Sequence, residues 1–252
     1  MKTAVITDKG KVRTHNEDAV GVFPNEHGQL LAVVADGMGG HQAGDVASKM
    51  TIEYFEQGWK RSERVNTPEQ AENWLLENIQ KVNNILLTYA SEHIDCKGMG
   101  TTIVAAICTE NFATVAHIGD SRCYLLNSAG FTQITDDHSL VNELVKSGQI
   151  SKEDAKEHPR KNILLKALGT EQSVYPDMKT IDLEENDYLL LCSDGLSNKV
   201  QDDQMAAVLT SKQSLQEKAE QLIRLANENG GDDNISLILC HHVNVKERDQ
   251  TC

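Results

Sequence analysis

The chain predicts a mixed α+β protein, on three observations. Short apolar runs suited to strands recur along most of its 252 residues, at 3–7, 19–23, 30–35, 101–109, 112–118, 122–126, 187–192 and 235–240. Two longer segments, 42–59 and 68–93, instead space their apolar residues as amphipathic helices do. Three of the apolar runs also end alike, in an aspartate at a tight turn: Asp36 before Gly37, Asp120 before Ser121, and Asp194 before Gly195.

Taken in order, 3–7 and 19–23 are short strands around a polar loop, Lys11-Val-Arg-Thr-His-Asn-Glu-Asp18, rich in groups that bind phosphate or metal. The run from Leu30 is apolar on both faces and delivers Asp36 to flexible backbone at Gly37, Gly39 and Gly40. A helix follows, with Val46, Met50, Tyr54 and Phe55 on one face. Pro68 suits the first turn of a second helix, whose stripe is Trp74, Leu75, Ile79, Val82 and Leu86. The runs 101–109, 112–118 and 122–126, joined by short polar turns, read as an antiparallel meander, and 127–130 as a hairpin turn into 131–134. Segment 136–176 changes character. It holds two short helices, 139–147 and 151–157, the second opened by a capping-box pattern at Ser151 and Asp154, and reads as a flap over the β core. After the strand 187–192 come helices at 202–209 and 215–227, a loop at 230–234 and a last strand. One domain over 1–242 and a polar tail over 243–252 are expected.

The net charge is −14, from 24 basic and 38 acidic residues, which argues against a clamp on nucleic-acid backbone. No apolar run reaches membrane-spanning length and the N-terminus has no signal-peptide core, so a cytoplasmic protein without a membrane partner is expected. The six cysteines show no zinc spacing, and four of them sit in apolar runs as small hydrophobes, consistent with a reducing compartment.

The repeated strand-end aspartates carry the chemistry. Singly, each is a good turn former. Together with Glu17-Asp18 and Asp232-Asp233-Asn234 they make five acidic clusters, and five on one sheet edge would repel one another unless cations lay between them. An all-oxygen set selects Mg²⁺ or Mn²⁺ over zinc. The glycines after Asp36 lack the third member of a dinucleotide fingerprint, and there is neither a Walker lysine nor an EF-hand ladder. A two-metal nuclease and a non-catalytic phosphoprotein-binding module are the other readings of such a set. The acidic balance counts against the first, and the retained aspartates against the second.

Six motifs in order resemble the metal-dependent serine/threonine phosphatases of type 2C, in their bacterial single-domain form. They are Arg13-x-x-Asn16-Glu17-Asp18, Val34-Ala-Asp36-Gly37-Met-Gly-Gly40, Gly98-Met-Gly-Thr-Thr102, His117-Ile-Gly-Asp-Ser-Arg122, Cys192-Ser-Asp-Gly195 and Asp232-Asp-Asn234. The resemblance implies a four-layer α-β-β-α sandwich, with two antiparallel sheets flanked by helices and a binuclear Mn²⁺/Mg²⁺ centre at one end. By the same resemblance Asp36 bridges the two metals, the Gly37 carbonyl binds one, Asp194 and Asp233 hold one, and Asp18 supports the other through water. Asp120 holds a third, weaker ion, and Arg13 grips the substrate phosphate. Thr101 and Thr102 support the cleft. Eukaryotic members place a histidine directly after the Asp-Gly; here that position is Met38, which leaves His41 or a water as the candidate acid. The expected reaction is attack of an activated water on phosphoserine or phosphothreonine, without a phosphoenzyme. The expected partners are phosphorylated proteins, a serine/threonine kinase among them, with the chain acting as a monomer.

Overall fold

The computed structural model describes residues 1–40 and 43–243. The candidate acid His41 and the tail residues 244–252 lie outside the described residues. In chain order the elements are β1 (Lys2–Asp8), β2 (Asp18–Pro24), β3 (Leu30–Met38), α1 (Ala43–Lys60), α2 (Pro68–Glu92), β4 (Gly100–Thr101), β5 (Ile103–Cys108), β6 (Phe112–Ile118), β7 (Arg122–Asn127), β8 (Gly130–Gln133), α3 (Leu140–Lys146), α4 (Lys152–Glu157), β9 (Asp177–Asp182), β10 (Tyr188–Cys192), α5 (Asp194–Ser197), α6 (Asp202–Thr210), α7 (Leu215–Glu228) and β11 (Ile235–His241).

The strands form two antiparallel sheets. One runs β1-β11-β10-β7-β8 and the other β2-β3-β5-β6-β9, with β4 paired to β3. Alternation along β3 explains the layering. Leu31 and Val33 pack outward with Phe55, Trp59, Leu75 and Ile79 of α1 and α2, whereas Ala32 and Val34 turn inward to meet Leu191 and Ile238 of the other sheet. A third core buries the outer face of that second sheet against α6 and α7, through Leu190, Leu237 and Leu239 with Met205, Leu209 and Leu222. The result is the α-β-β-α sandwich, since each sheet has two apolar faces and each face needs a cover.

Three local expectations need correction. First, α1 buries Ala43, Ala47, Ser48, Thr51, Phe55 and Trp59, while Val46, Met50 and Tyr54 are only half-buried at its flank. Small residues let the helix lie close to the sheet, so the contact stripe is not the most hydrophobic one. Second, 101–126 is not a single meander. β5 and β6 form a hairpin, but β7 belongs to the other sheet, between β10 and β8. The turn between Ile118 and Arg122 crosses the sandwich, and β6 takes β9 as its other neighbour. Third, β9 has no strand signature in the sequence, because Asp177-Met-Lys-Thr-Ile-Asp182 is an edge strand with only exposed or half-buried positions.

In segment 136–176, neither α3 nor α4 has a buried residue. The capping box at Ser151 and Asp154 is formed. Leu140 N donates to Ile163 O at 2.9 Å and Leu165 N to His138 O at 2.8 Å, and Thr101 bridges to Leu168. No helix among the described residues is long and apolar enough to cross a membrane.

Candidate active site

Both sheets deliver acids to one end of the sandwich. Asp18 opens β2 directly opposite Asp36 of β3 in the strand register. From the other sheet, Asp194 follows β10 and Asp233 precedes β11, while Asp120 sits in the turn where the chain crosses between sheets. Asp36, Gly37, Asp120, Asp194 and Asp233 line one cleft of about 240 Å³, together with Arg13, Glu17, and Asn162 and Leu164 from beyond α4. Asp18 lies buried beneath it. Asp232 does not line the cleft; it is exposed and contacts Lys199. A second cavity of about 210 Å³, between α2 and residues 172–175, is lined by uncharged side chains only.

Close approach and hydrogen bonds fix the acids. A Cβ on Gly37 would lie 2.1 Å from the Gly44 carbonyl oxygen, so only glycine lets β3 meet the start of α1 here. Gly195 faces the Asn234 carbonyl oxygen in the same way, at 1.9 Å. Thr101 and Thr102 grip the Asp36 backbone: Thr101 Oγ1 donates to its carbonyl at 2.9 Å, and Thr102 Oγ1 accepts from its N–H at 3.1 Å. Thr102 Oγ1 also meets Ser121 Oγ at 2.7 Å, beside Asp120.

Two residues whose roles the sequence reading left unassigned complete the frame. Ser193 Oγ donates to Asp18 Oδ2 at 2.8 Å and accepts from Ser236 N at 3.0 Å. Asn234 is buried; its Nδ2 donates to the carbonyls of Lys9 and His15, both at 2.9 Å, and its Oδ1 accepts from Glu17 N at 2.8 Å. It thereby pins the Arg13 loop against the cleft. Position inside the two last acidic motifs was the one signal for either residue.

The electrostatics are those of acids packed against acids. Burial, then the neighbouring carboxylates, holds Asp36 well above the usual carboxylate range. Burial likewise raises Asp18 to about 7 and Asp120 to about 8, each with Asp194 as the leading charged neighbour. Burial and the charge of Asp233 raise Asp194 to about 6. Arg13 Nη2 donates to Asp233 Oδ2 at 2.7 Å, and Asn198 Nδ2 to Asp194 Oδ2 at 3.0 Å.

The donor set fits divalent cations. It is all oxygen and multiply anionic, and the buried Asp18 Oδ1 has no hydrogen-bond partner. Asp36 and Asp194 line the same cleft, and the charge of Asp194 is among those that push the Asp36 carboxyl up. Among the described residues, however, no three acidic, histidine or cysteine side chains close around a single point. Arg13 contacts Asp233, and Asn198 contacts Asp194.

Comparison with known proteins agrees with this geometry. The model of the family described as Protein phosphatase 2C matches residues 9–240. The chain is 51% identical to the serine/threonine phosphatase stp of Listeria welshimeri over 233 residues, 92% of each protein. It superposes on serine/threonine phosphatase Stp1 from Staphylococcus aureus with a TM-score of 0.92 at 42% identity, covering 96% of this chain and 95% of that one. The catalytic domain of the phosphatase PstP, solved in complex with two manganese ions, gives a TM-score of 0.85 at 33% identity, covering 96% and 98%. Acids drawn from both sheets into one cleft, on this fold and with these relatives, place the chain in the protein phosphatase 2C family, as a metal-dependent protein-serine/threonine phosphatase of the bacterial type.

Proposed function

We propose that the chain removes phosphate from phosphoserine and phosphothreonine in proteins with a binuclear Mn²⁺ or Mg²⁺ centre, in one step and without a phosphoenzyme. When bound, a pair of such cations supplies Lewis acidity, lowering the pKa of a water and offsetting charge on the phosphoryl oxygens. Asp36 and the Gly37 carbonyl, with Asp194 and Asp233, are the residues that would hold the pair, and Asp18 would support it. Asp120, sharing Asp194, is the place for a third, weaker ion. Arg13 has a planar fork suited to two phosphate oxygens at once, and reaches them once it leaves Asp233. His41 is the candidate donor of a proton to the leaving seryl or threonyl oxygen, on its sequence position alone. The protein is read as a cytoplasmic monomer that opposes a serine/threonine kinase.

The observation that carries this reading is the meeting of carboxylates from two sheets in one cleft, with the Oδ1 of the buried Asp18 left without a hydrogen-bond partner. The test is hydrolysis of p-nitrophenyl phosphate and a phosphothreonine peptide with Mn²⁺. Turnover is expected to stop with chelator and to fall about 10²–10³-fold in Asp36→Ala or Asp194→Ala, as expected when the charge stabilisation supplied by the held cations is lost. Activity surviving either substitution rules the site out.

A further inference from the structure

We infer that the mouth of the cleft carries a cationic shelf, built by Lys11, Lys161 and Lys199 around loop 230–233, that selects phosphoproteins with acidic side chains beside the phosphorylated residue. The inference deepens the phosphatase reading and rests on it.

The three lysines come from three separate parts of the chain. Lys11 lies in the loop before β2, and its backbone N–H donates to the Gly231 carbonyl at 2.8 Å. Its side chain covers the same glycine, since a Cβ there would lie 3.2 Å from Lys11 Cγ. Lys199 follows α5; its Nζ contacts Asp232 and would lie 3.2 Å from a Cβ on Gly230. Lys161 follows α4 and immediately precedes Asn162, which lines the cleft. Lys199 stands at the rim through its contact with Asp232, and Lys161 through its neighbour Asn162. The loop they surround leads straight into Asp233 and the cleft.

Charge makes this convergence informative. The chain carries a net −14, yet residues 146–166 hold six basic side chains against three acidic ones. Several of those cations are already engaged: Lys146 with Asp136 at 3.5 Å, Lys166 with Asp177 at 3.5 Å, and Lys156 with Gln201 at 3.0 Å. Among the described residues Lys11 and Lys161 form no ion pair and are exposed, whereas Asp232 meets only part of the shelf's charge. An acidic polypeptide is repelled by most of this surface, so a local positive rim beside the phosphate site decides which substrates dock. Arg13 faces the phosphate and the shelf faces the residues next to it. A peptide carboxylate there replaces or joins Asp232 among the lysines.

The experiment compares phosphothreonine peptides that differ only in glutamate against glutamine at the flanking positions, with the acids placed on the N-terminal side in one pair and the C-terminal side in another. The readout is the ratio of kcat/KM, acidic over neutral, for the full chain loaded with Mn²⁺. For one of the two placements the wild type is expected to prefer the acidic peptide by about tenfold, mostly through KM, because each exposed ion pair contributes up to about fivefold. High salt lowers the ratio. The preference is expected to shrink in Lys161→Gln, an exposed and unpaired position, and to approach one in Lys161→Gln/Lys199→Gln. A wild-type ratio at or below one for both placements overturns the shelf, as does a preference that survives the double substitution. Failure of the wild type to hydrolyse p-nitrophenyl phosphate overturns the phosphatase reading itself, which separates the two.

Discussion

β5 and β6 are buried at every position, whereas α3 and α4 bury no residue at all. Both regions border the same cleft: Thr102 and Asp120 flank the two strands, and Asn162 and Leu164 follow the two helices. The difference separates two tasks. Acids that repel one another need a frame whose packing outweighs the repulsion, and three apolar cores supply it. A surface that meets substrate needs no such frame. The segment carrying α3 and α4 closes on itself through backbone bonds between Leu140 and Ile163 and between Leu165 and His138, and its ends are tied to the sandwich by His138 N donating to the Gly119 carbonyl, by the Arg122–Asp137 ion pair and by the Thr101–Leu168 bridge.

That contrast can be broken first at the core. Trp59 is fully buried beside Phe55 and Trp74, so Trp59→Ala is expected to cost about 3–5 kcal/mol in urea unfolding. A loss under about 1 kcal/mol would mean that the outer helices do not hold the frame.

The next test addresses the repulsion directly. Asp18, Asp120 and Asp194 are raised to about 7, 8 and 6 from 3.8, so the metal-free folded chain holds more protons than the unfolded chain between about pH 4 and 8. Stability from these groups is complete below pH 4 and is lost as pH rises through their folded values, at about 1.4 kcal/mol per pH unit for each excess proton. With chelator, the melting temperature is expected to fall across that window relative to a variant with Asp120→Asn. With Mn²⁺ the fall should vanish, and metal binding should release protons, seen as a dependence of binding heat on the buffer used. A flat metal-free profile would show that the acids are not packed as described.

A smaller effect is expected at the cleft rim. Arg13→Ala should lower kcat/KM for a phosphopeptide by about tenfold to a hundredfold, the size of a lost hydrogen bond to a charged group. It should also tighten Mn²⁺ binding, because Asp233 is freed. Calorimetry showing weaker Mn²⁺ binding would contradict the competition.

The smallest effect belongs to the flap segment. Ser151→Ala removes the capping box of α4 and should weaken that helix by about 1 kcal/mol. Hydrogen exchange is expected to speed up over 152–157 while the global unfolding midpoint stays put. A shift of the whole transition would mean that the segment shares the sandwich's cooperativity.

The legible parts of the fold were those where chemistry is local. Apolar runs marked β3, β5, β6, β10 and β11, and helical spacing with Pro68 marked α2. β9 stayed hidden because an edge strand buries too little to leave a pattern. The transfer of β7 to the second sheet stayed hidden because alternation tells which residues face inward, not which sheet they join. In the cleft, the aspartates were found by their recurrence at strand ends and by the motif order. Ser193 and Asn234 were not assigned, since their partners lie 175 and 217 residues away in Asp18 and Glu17.

By itself, then, the sequence determined the residue types: which segments hide from water, where backbone must be glycine, and which acids end the strands. Only the tertiary structure decided that those acids face one another, that Arg13 rests on Asp233, and that lysines from three segments gather beside them. The physical reason is range. Hydrophobic periodicity is written within a few residues, whereas a charge's neighbours, and so its pKa and its partner, are set by chain segments far away in sequence that the packed sheets bring within a few ångströms.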